Sequence, residues 1–376
     1  MRTFLGSFAA QARLLLASRR YGPLLLVLLA ATWVSVDIYR HQTLEEVPVA
    51  FLDMDGSSVS RTIALFSDAA RELKVVSPPP QSQEEARQWL VQGRVAAVVV
   101  APEGLADAVK RGDQEAVTVL VEMGNILLGR NVQTAMARVL TTVNAGVGMK
   151  VVQKMGVPRE HALATVVPVS VDASLPFNPG TNYAWYLAPG VALFLLHVYL
   201  LIAALSAFRS ASGRLDLLGR LAAVLLLGIA LEAAWLYLLL PARGIVVHSG
   251  LLPVALVVLP YLVLTVVLVY GVNLLFRMPV LVMEVTIFLG MLSLMLSGIT
   301  FPTDAFPWPL QWFSYVLPFT PYARGMRIFI HSAVEVSQLG GILTFYGWLS
   351  VFYAGVIVAA KAVYGLVGRP GREASS

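Results

Sequence analysis

Charged residues are unevenly spaced along this 376-residue chain, and the long gaps between them carry the first structural information. A helix that crosses a bilayer core needs about 20 mostly apolar residues. Six stretches qualify. The first is residues 21–39, interrupted only by Asp37 near its far end. No charge occurs between Asp172 and Arg209, and the apolar part of that gap starts near Trp185. Residues 221–240 contain Glu232, residues 251–276 contain no charge, residues 280–299 contain Glu284 near their start, and residues 341–367 meet Lys361 close to their end.

Ahead of the first stretch, Phe4, Leu5, Phe8, Ala12, Leu15 and Leu16 recur at helical spacing with Arg13, Arg19 and Arg20 between them. Residues 1–20 therefore predict an amphipathic helix lying on a membrane surface, or a plain extension of the first span. That span reads as a retained helix and not a cleaved signal peptide. Its apolar run continues past Ala30-Ala31 into Trp33, and the charge pattern of the rest needs an odd first span.

From Val47 the period changes. Short β-rich runs at 47–52, 73–76, 96–100 and 116–121 alternate with helical stretches ending at Phe66, at 83–91 and near 102–110, so residues 40–184 read as a small α/β domain. Asp53 and Asp55, with Ser57 and Ser58, read as a turn and helix cap. The further ligands of a calcium loop are missing. A long helical stretch at 125–155 would reach ~45 Å, enough for a stalk, with Gly146 and Gly148 marking where a break would fall. Residues 165–171 read as a return strand and 176–180 as the linker into the second span.

Composition agrees with this picture. The chain is 57% hydrophobic and 13% charged, against ~25% charge in a soluble domain. Its net charge of +5 invites a nucleic-acid reading until the charges are placed. Residues 40–184 hold 13 basic and 15 acidic residues, leaving 14 basic and seven acidic elsewhere, mostly flanking apolar runs. With the N-terminus inside, eleven basic residues fall on the cytoplasmic side and only Arg243, Arg324 and Arg327 in the short outer loops. The positive-inside rule then places both termini in the cytoplasm and residues 40–184 outside, with no nucleic-acid partner. The expected fold class is an α-helical membrane protein with six transmembrane helices and an inserted extracytoplasmic α/β domain. Membrane lipids are its surroundings, residues 185–367 carry the second to sixth spans, and residues 368–376 form a cytoplasmic tail.

Several chemistries are excluded. There is no cysteine, so thiolate nucleophiles, disulfides and cysteine metal sites are ruled out. No G-x-x-x-x-G-K-[ST] loop occurs, so any ATP is handled by another chain, and no cofactor is expected on this one. The five histidines show no metal-ligand spacing, and no nucleophile elbow is present. Glu232 and Glu284 stand inside predicted spans, where an unpaired charge costs several kcal/mol. They read either as a substrate or coupling site or as helix–helix hydrogen bonds. His197 and Asn273 read as structural polar contacts.

Motifs narrow the class. Leu296-Ser-Gly-Ile-Thr-Phe-Pro-Thr-Asp-Ala-Phe-Pro307, then Trp312, Leu317-Pro318 and Thr320-Pro-Tyr322, resemble the end of the fifth helix, the re-entrant segment and the "LP-x-T" turn of ABC type-2 transporter permeases. Val47-Pro-Val-Ala-Phe-Leu-Asp53, Ser57 and Ser60-Arg61 are similar to the opening of the outer domain in the drug-exporter subgroup with a large periplasmic domain after the first helix.

The resemblance implies a bacterial inner-membrane exporter permease for an amphipathic drug or lipid-like substrate. It also implies a second permease copy or paralogue, a cytoplasmic ABC ATPase subunit, and often a periplasmic adaptor with an outer-membrane channel. A re-entrant outer segment at 301–320 would bring Phe301, Pro302, Phe306, Trp308 and Trp312 to an outer gate, or simply to an interfacial aromatic belt. The family's acidic coupling helix is replaced by Phe208-Arg-Ser-Ala-Ser-Gly-Arg-Leu-Asp216. ATPase docking is therefore expected through Arg209, Arg214 and Asp216, unless this chain is the weaker half of a heterodimer. The rival reading is a mechanotransmission or scaffold protein that conducts no substrate.

Overall fold

The computed structural model describes residues 2–38, 44–111, 113–156, 158, 161, 186–276 and 278–367. The expected return strand at 165–171, the linker at 176–180, Arg277 and the tail lie outside the described residues. Contacts divide the chain into two units, one of residues 1–42 with 175–376 and one of residues 43–174.

The first unit starts with α1 (Arg2–Ala17) and α2 (Gly22–Ile38), bent by 58° at the break between them. Ser18 makes that break, its hydroxyl accepting from the Tyr21 amide at 3.1 Å. Pro23 follows in the first turn of α2, where its missing N–H leaves no helical bond unmade.

The second unit holds β1 (Val47–Asp53), α3 (Ser58–Ala69), β2 (Leu73–Val75), α4 (Gln83–Val91), β3 (Ala97–Ala101), α5 (Leu105–Arg111), β4 (Thr118–Val121) and α6 (Ile126–Lys154). The strands lie in the order β2-β1-β3-β4. β1 pairs in parallel with β2 and β3, while β4 is antiparallel to β3. Alternating side chains feed two cores, as the two-residue period of a strand requires. Val47, Val49, Phe51, Ala97 and Val99 pack with Ile63 of α3 and with Val132, Met136, Val139 and Val143 of α6. Ala50, Leu52, Val98 and Val100 pack with Ala86 and Trp89 of α4.

α6 runs unbroken through Gly146 and Gly148. Its first half belongs to the core, so a free-standing stalk describes at most the second half. The Asp53 region is a turn: Asp53 accepts from the amides of Asp55 and Gly56 and from the Ser60 hydroxyl. Ser57 caps α3.

The chain returns to the first unit with α7 (Ala188–Ser210) and α8 (Arg214–Ala234), which continues as a π turn over Trp235–Leu239. Then come α9 (Leu251–Leu275), α10 (Pro279–Leu296), α11 (Trp308–Ser314), α12 (Phe319–His331) and α13 (Gly340–Val367). Among the described residues five helices are long and apolar enough to cross a membrane, and the bent pair at the N-terminus makes a sixth when taken as one span. α12 is a separate helix whose Phe319, Tyr322, Met326 and Phe329 are buried. At Gly325 a Cβ would stand 2.7 Å from Val257 of α9, so α12 reaches α9 only because that position lacks a side chain.

Candidate functional site

The expected ATPase dock is not a loop. Only Ala211, Ser212 and Gly213 separate α7 from α8, and Arg214 and Asp216 belong to the first turn of α8. Arg209 and Arg214 are exposed, and the Arg209 guanidinium donates to the Pro279 carbonyl. Asp216 is turned inward and buried. It accepts from the Ser212 amide at 2.7 Å, from the Ser212 hydroxyl at 2.9 Å and from Arg220 Nε at 2.9 Å. Arg220 also donates to Gln11 Oε1 at 3.2 Å, and Gln11 Nε2 donates to the Ser206 hydroxyl at 2.7 Å.

One polar chain thus ties α1, the end of α7 and the start of α8 together. Tyr199 adds a hydrogen bond to the Leu15 carbonyl at 3.1 Å. α1 approaches α8 closely because Gly219 faces Phe4: a Cβ there would stand 2.5 Å from the Phe4 carbonyl oxygen. The amphipathic pattern of α1 is consequently read differently by its surroundings. Ser7, Gln11 and Leu15 form its buried stripe, while Leu5 and Leu16 are exposed. The signal for this in the sequence is Gln11, a polar residue alone among apolar neighbours.

The two intramembrane glutamates part company. Glu232 is 3% exposed and accepts from the Tyr322 hydroxyl of α12 at 2.5 Å. Tyr322 stacks on Tyr261 of α9 with centroids 3.8 Å apart and planes 11° from parallel. The Tyr261 hydroxyl is 2.9 Å from Nδ1 of His197 on α7, and His197 lies against Phe319. Four helices therefore meet through two buried hydrogen bonds joined by a ring stack. Glu232 also lines a void of about 10 Å³, at the lower limit for a single water and far too small for a transported molecule. Glu284, one turn into α10, is exposed. The structure does not bring it to Glu232.

In the predicted outer gate, Phe301, Pro302, Trp308 and Trp312 are exposed and Phe306 is half-buried. Phe301 stacks on Phe306 at 6.0 Å and Trp312 meets Tyr315 edge-on at 6.2 Å. Phe301, Trp308 and Trp312 offer aromatic surface to whatever surrounds this end of the molecule. Sequence reasoning missed Tyr261, Gly219 and Gln11 and took Tyr322 only as part of a turn motif, because their roles depend on helices far away in the chain.

A family model described as "ABC-2 family transporter protein" matches residues 21–360, about nine-tenths of the chain. No curated protein and no solved structure matches it.

Proposed function

The chain belongs to the ABC-2 transporter family, and from that premise we propose that it is the membrane permease subunit of an ATP-driven exporter for an amphipathic small molecule. Multi-pass embedding in a membrane follows from the family and the apolar helices. The family also implies an ABC ATPase partner, on which hydrolysis takes place. Pairing with a second permease, placement in a bacterial inner membrane with both termini cytoplasmic, and projection of residues 40–184 outward belong to the same reading. So does an adaptor with an outer-membrane channel.

The observation that supports coupling is the polar chain Ser212–Asp216–Arg220–Gln11–Ser206. It makes α1 and the α7–α8 turn one body, so a push on the exposed Arg209 and Arg214 moves both. Asp216, satisfied from within, serves to hold this body and not to meet the ATPase. Movement of α8 would then reach Glu232, four turns further along, and the helices joined there.

The test is co-purification of the full chain with a co-expressed ABC ATPase subunit from the same genome, comparing wild type with Arg214→Glu. An acidic residue suits a helix N-terminus, so the variant keeps its fold. The expected result is loss of ATPase association and of export with unchanged yield of folded permease. Retained association and export would refute docking through this turn.

A further inference from the structure

Two of the three arginines that depart from the charge bias, Arg324 and Arg327, stand on the same side of α12 and line one cavity of about 420 Å³. Thr320, Arg324 and Arg327 occupy positions i, i+4 and i+7, which share a helix face, and this stripe forms one wall. The opposite wall is the turn of Pro302, Thr303 and Asp304, and Gln338 and Phe345 close the side.

Arg327 is held in place. It donates to the carbonyl of Gly298, whose φ of +83° puts it in the left-handed region, and lies 5.8 Å from the centre of the Tyr186 ring. Arg324 is exposed to the cavity with no ion pair or hydrogen bond to the described residues. Asp304 is the single acidic residue of the lining, and it too makes no ion pair among them. Two guanidinium groups against one carboxylate leave a positive cavity in a bundle that is otherwise nearly free of charge. A bound anion would meet the paired donors that guanidinium presents.

A second cavity, of about 220 Å³ and almost wholly apolar, lies on the other side of the Tyr315–Leu317 turn. It is lined by Gly271, Phe313, Val316, Phe352 and Tyr353 among others. Phe345 of the first cavity and Phe352 of the second are seven residues apart on α13, or ~10.5 Å along a helix. That is the scale of a headgroup followed by an alkyl chain.

We propose that the arginine-lined cavity binds the phosphate or carboxylate of an anionic amphiphile whose apolar part enters the neighbouring cavity. This deepens the exporter reading and rests on it for calling the amphiphile a substrate. The binding itself does not depend on the ATPase.

The experiment is equilibrium binding to the full chain in a neutral maltoside detergent, followed by tryptophan fluorescence. Dodecyl phosphate is compared with dodecyltrimethylammonium and butyl phosphate. Saturable binding of dodecyl phosphate alone is expected, weakened at least tenfold by Arg324→Gln and restored in part by Arg324→Lys. Gly271→Leu, where a Cβ meets nothing within 4 Å, fills the apolar cavity. It should weaken dodecyl phosphate binding, and wild-type binding by this variant would remove the apolar cavity from the site. Equal binding of the cationic analogue, or wild-type binding by Arg324→Gln, overturns the site. In nanodiscs, competition by phosphatidylglycerol would make the occupant a resident lipid and overturn the substrate assignment. Persistence of dodecyl phosphate binding in its presence supports a transported molecule. Loss of ATPase association would leave all of these readings unchanged, so the two hypotheses fail separately.

Discussion

Removing the hydroxyl of Tyr322 tests whether its buried hydrogen bond to Glu232 holds α8 and α12 together. Glu232 takes its one hydrogen bond among the described residues from that group at 2.5 Å, and both side chains are buried. Phenylalanine keeps the ring stacked on Tyr261 and leaves the carboxyl group without a donor. An unsatisfied buried polar group costs about 1–3 kcal/mol. The first unit spans residues 1–42 and 175–376. For a body of this size each kcal/mol moves the melting temperature by about 2–4 °C, so a loss near ~2 kcal/mol lowers it by ~4–8 °C.

The assay is thermal unfolding of the full chain in detergent, followed by size-exclusion fluorescence. Glu232→Gln keeps an acceptor for Tyr322 and should cost less. Glu232→Leu combined with Tyr322→Phe removes both partners and should recover part of the loss, because matched apolar groups leave nothing unsatisfied. If Tyr322→Phe melts with the wild type, or costs the same with leucine at 232, that hydrogen bond is not what joins α8 to α12.

Gly219→Leu should drive α1 off α8. Overpacking costs about 1–3 kcal/mol, and faster proteolysis of residues 2–17 would report it; unchanged cleavage would refute the close contact. Glu284→Gln, on an exposed position, should leave the melting temperature within about 2 °C, since surface changes rarely exceed ±0.5 kcal/mol. In the second unit, partial burial opposes ionisation of Glu72. The hydrogen bond from Arg138 and the charges of Arg138 and Arg71 outweigh it and hold the carboxyl below its ordinary value. A lowered value means stability that is present above the ordinary carboxylate range and is lost as pH falls through the folded value. Arg138→Gln should therefore weaken hydrogen-exchange protection of β2 at pH 7 by no more than ~1 kcal/mol, with the difference shrinking as pH falls below the ordinary carboxylate range and gone below the folded value.

Charge gaps revealed the apolar helices because a bilayer tolerates few charges at depth, and α7, α9 and α10 begin and end close to where the gaps do. α8 starts at Arg214, seven residues before its apolar run, because Asp216 and Arg220 pair with each other along the helix and keep it regular outside the apolar zone. α12 was hidden because its polar stripe of Arg324 and Arg327 breaks the apolar run that would have marked it. Depth along a helix also says nothing about azimuth. Glu232 and Glu284 look alike in the sequence, and only the neighbours of α8 and α10 decide that one faces in and the other out. The strands were legible from their β-branched runs, while the antiparallel direction of β4 was not, since pattern carries no sense of direction.

The π turn after Glu232 closes with the Leu240 amide bonded to the Trp235 carbonyl, five residues back. It holds one residue more than an α turn would. Each residue of an α-helix turns the chain by about 100°, so everything beyond Leu239 is displaced in phase by roughly that angle relative to Glu232. The surplus residue thus works as a fixed phase shifter. Deleting one residue within 235–239 would return the helix to ordinary winding without shortening it by a full turn, and would re-aim the Pro241–Arg243 turn that ends it. Register in this span is kept by count as well as by composition.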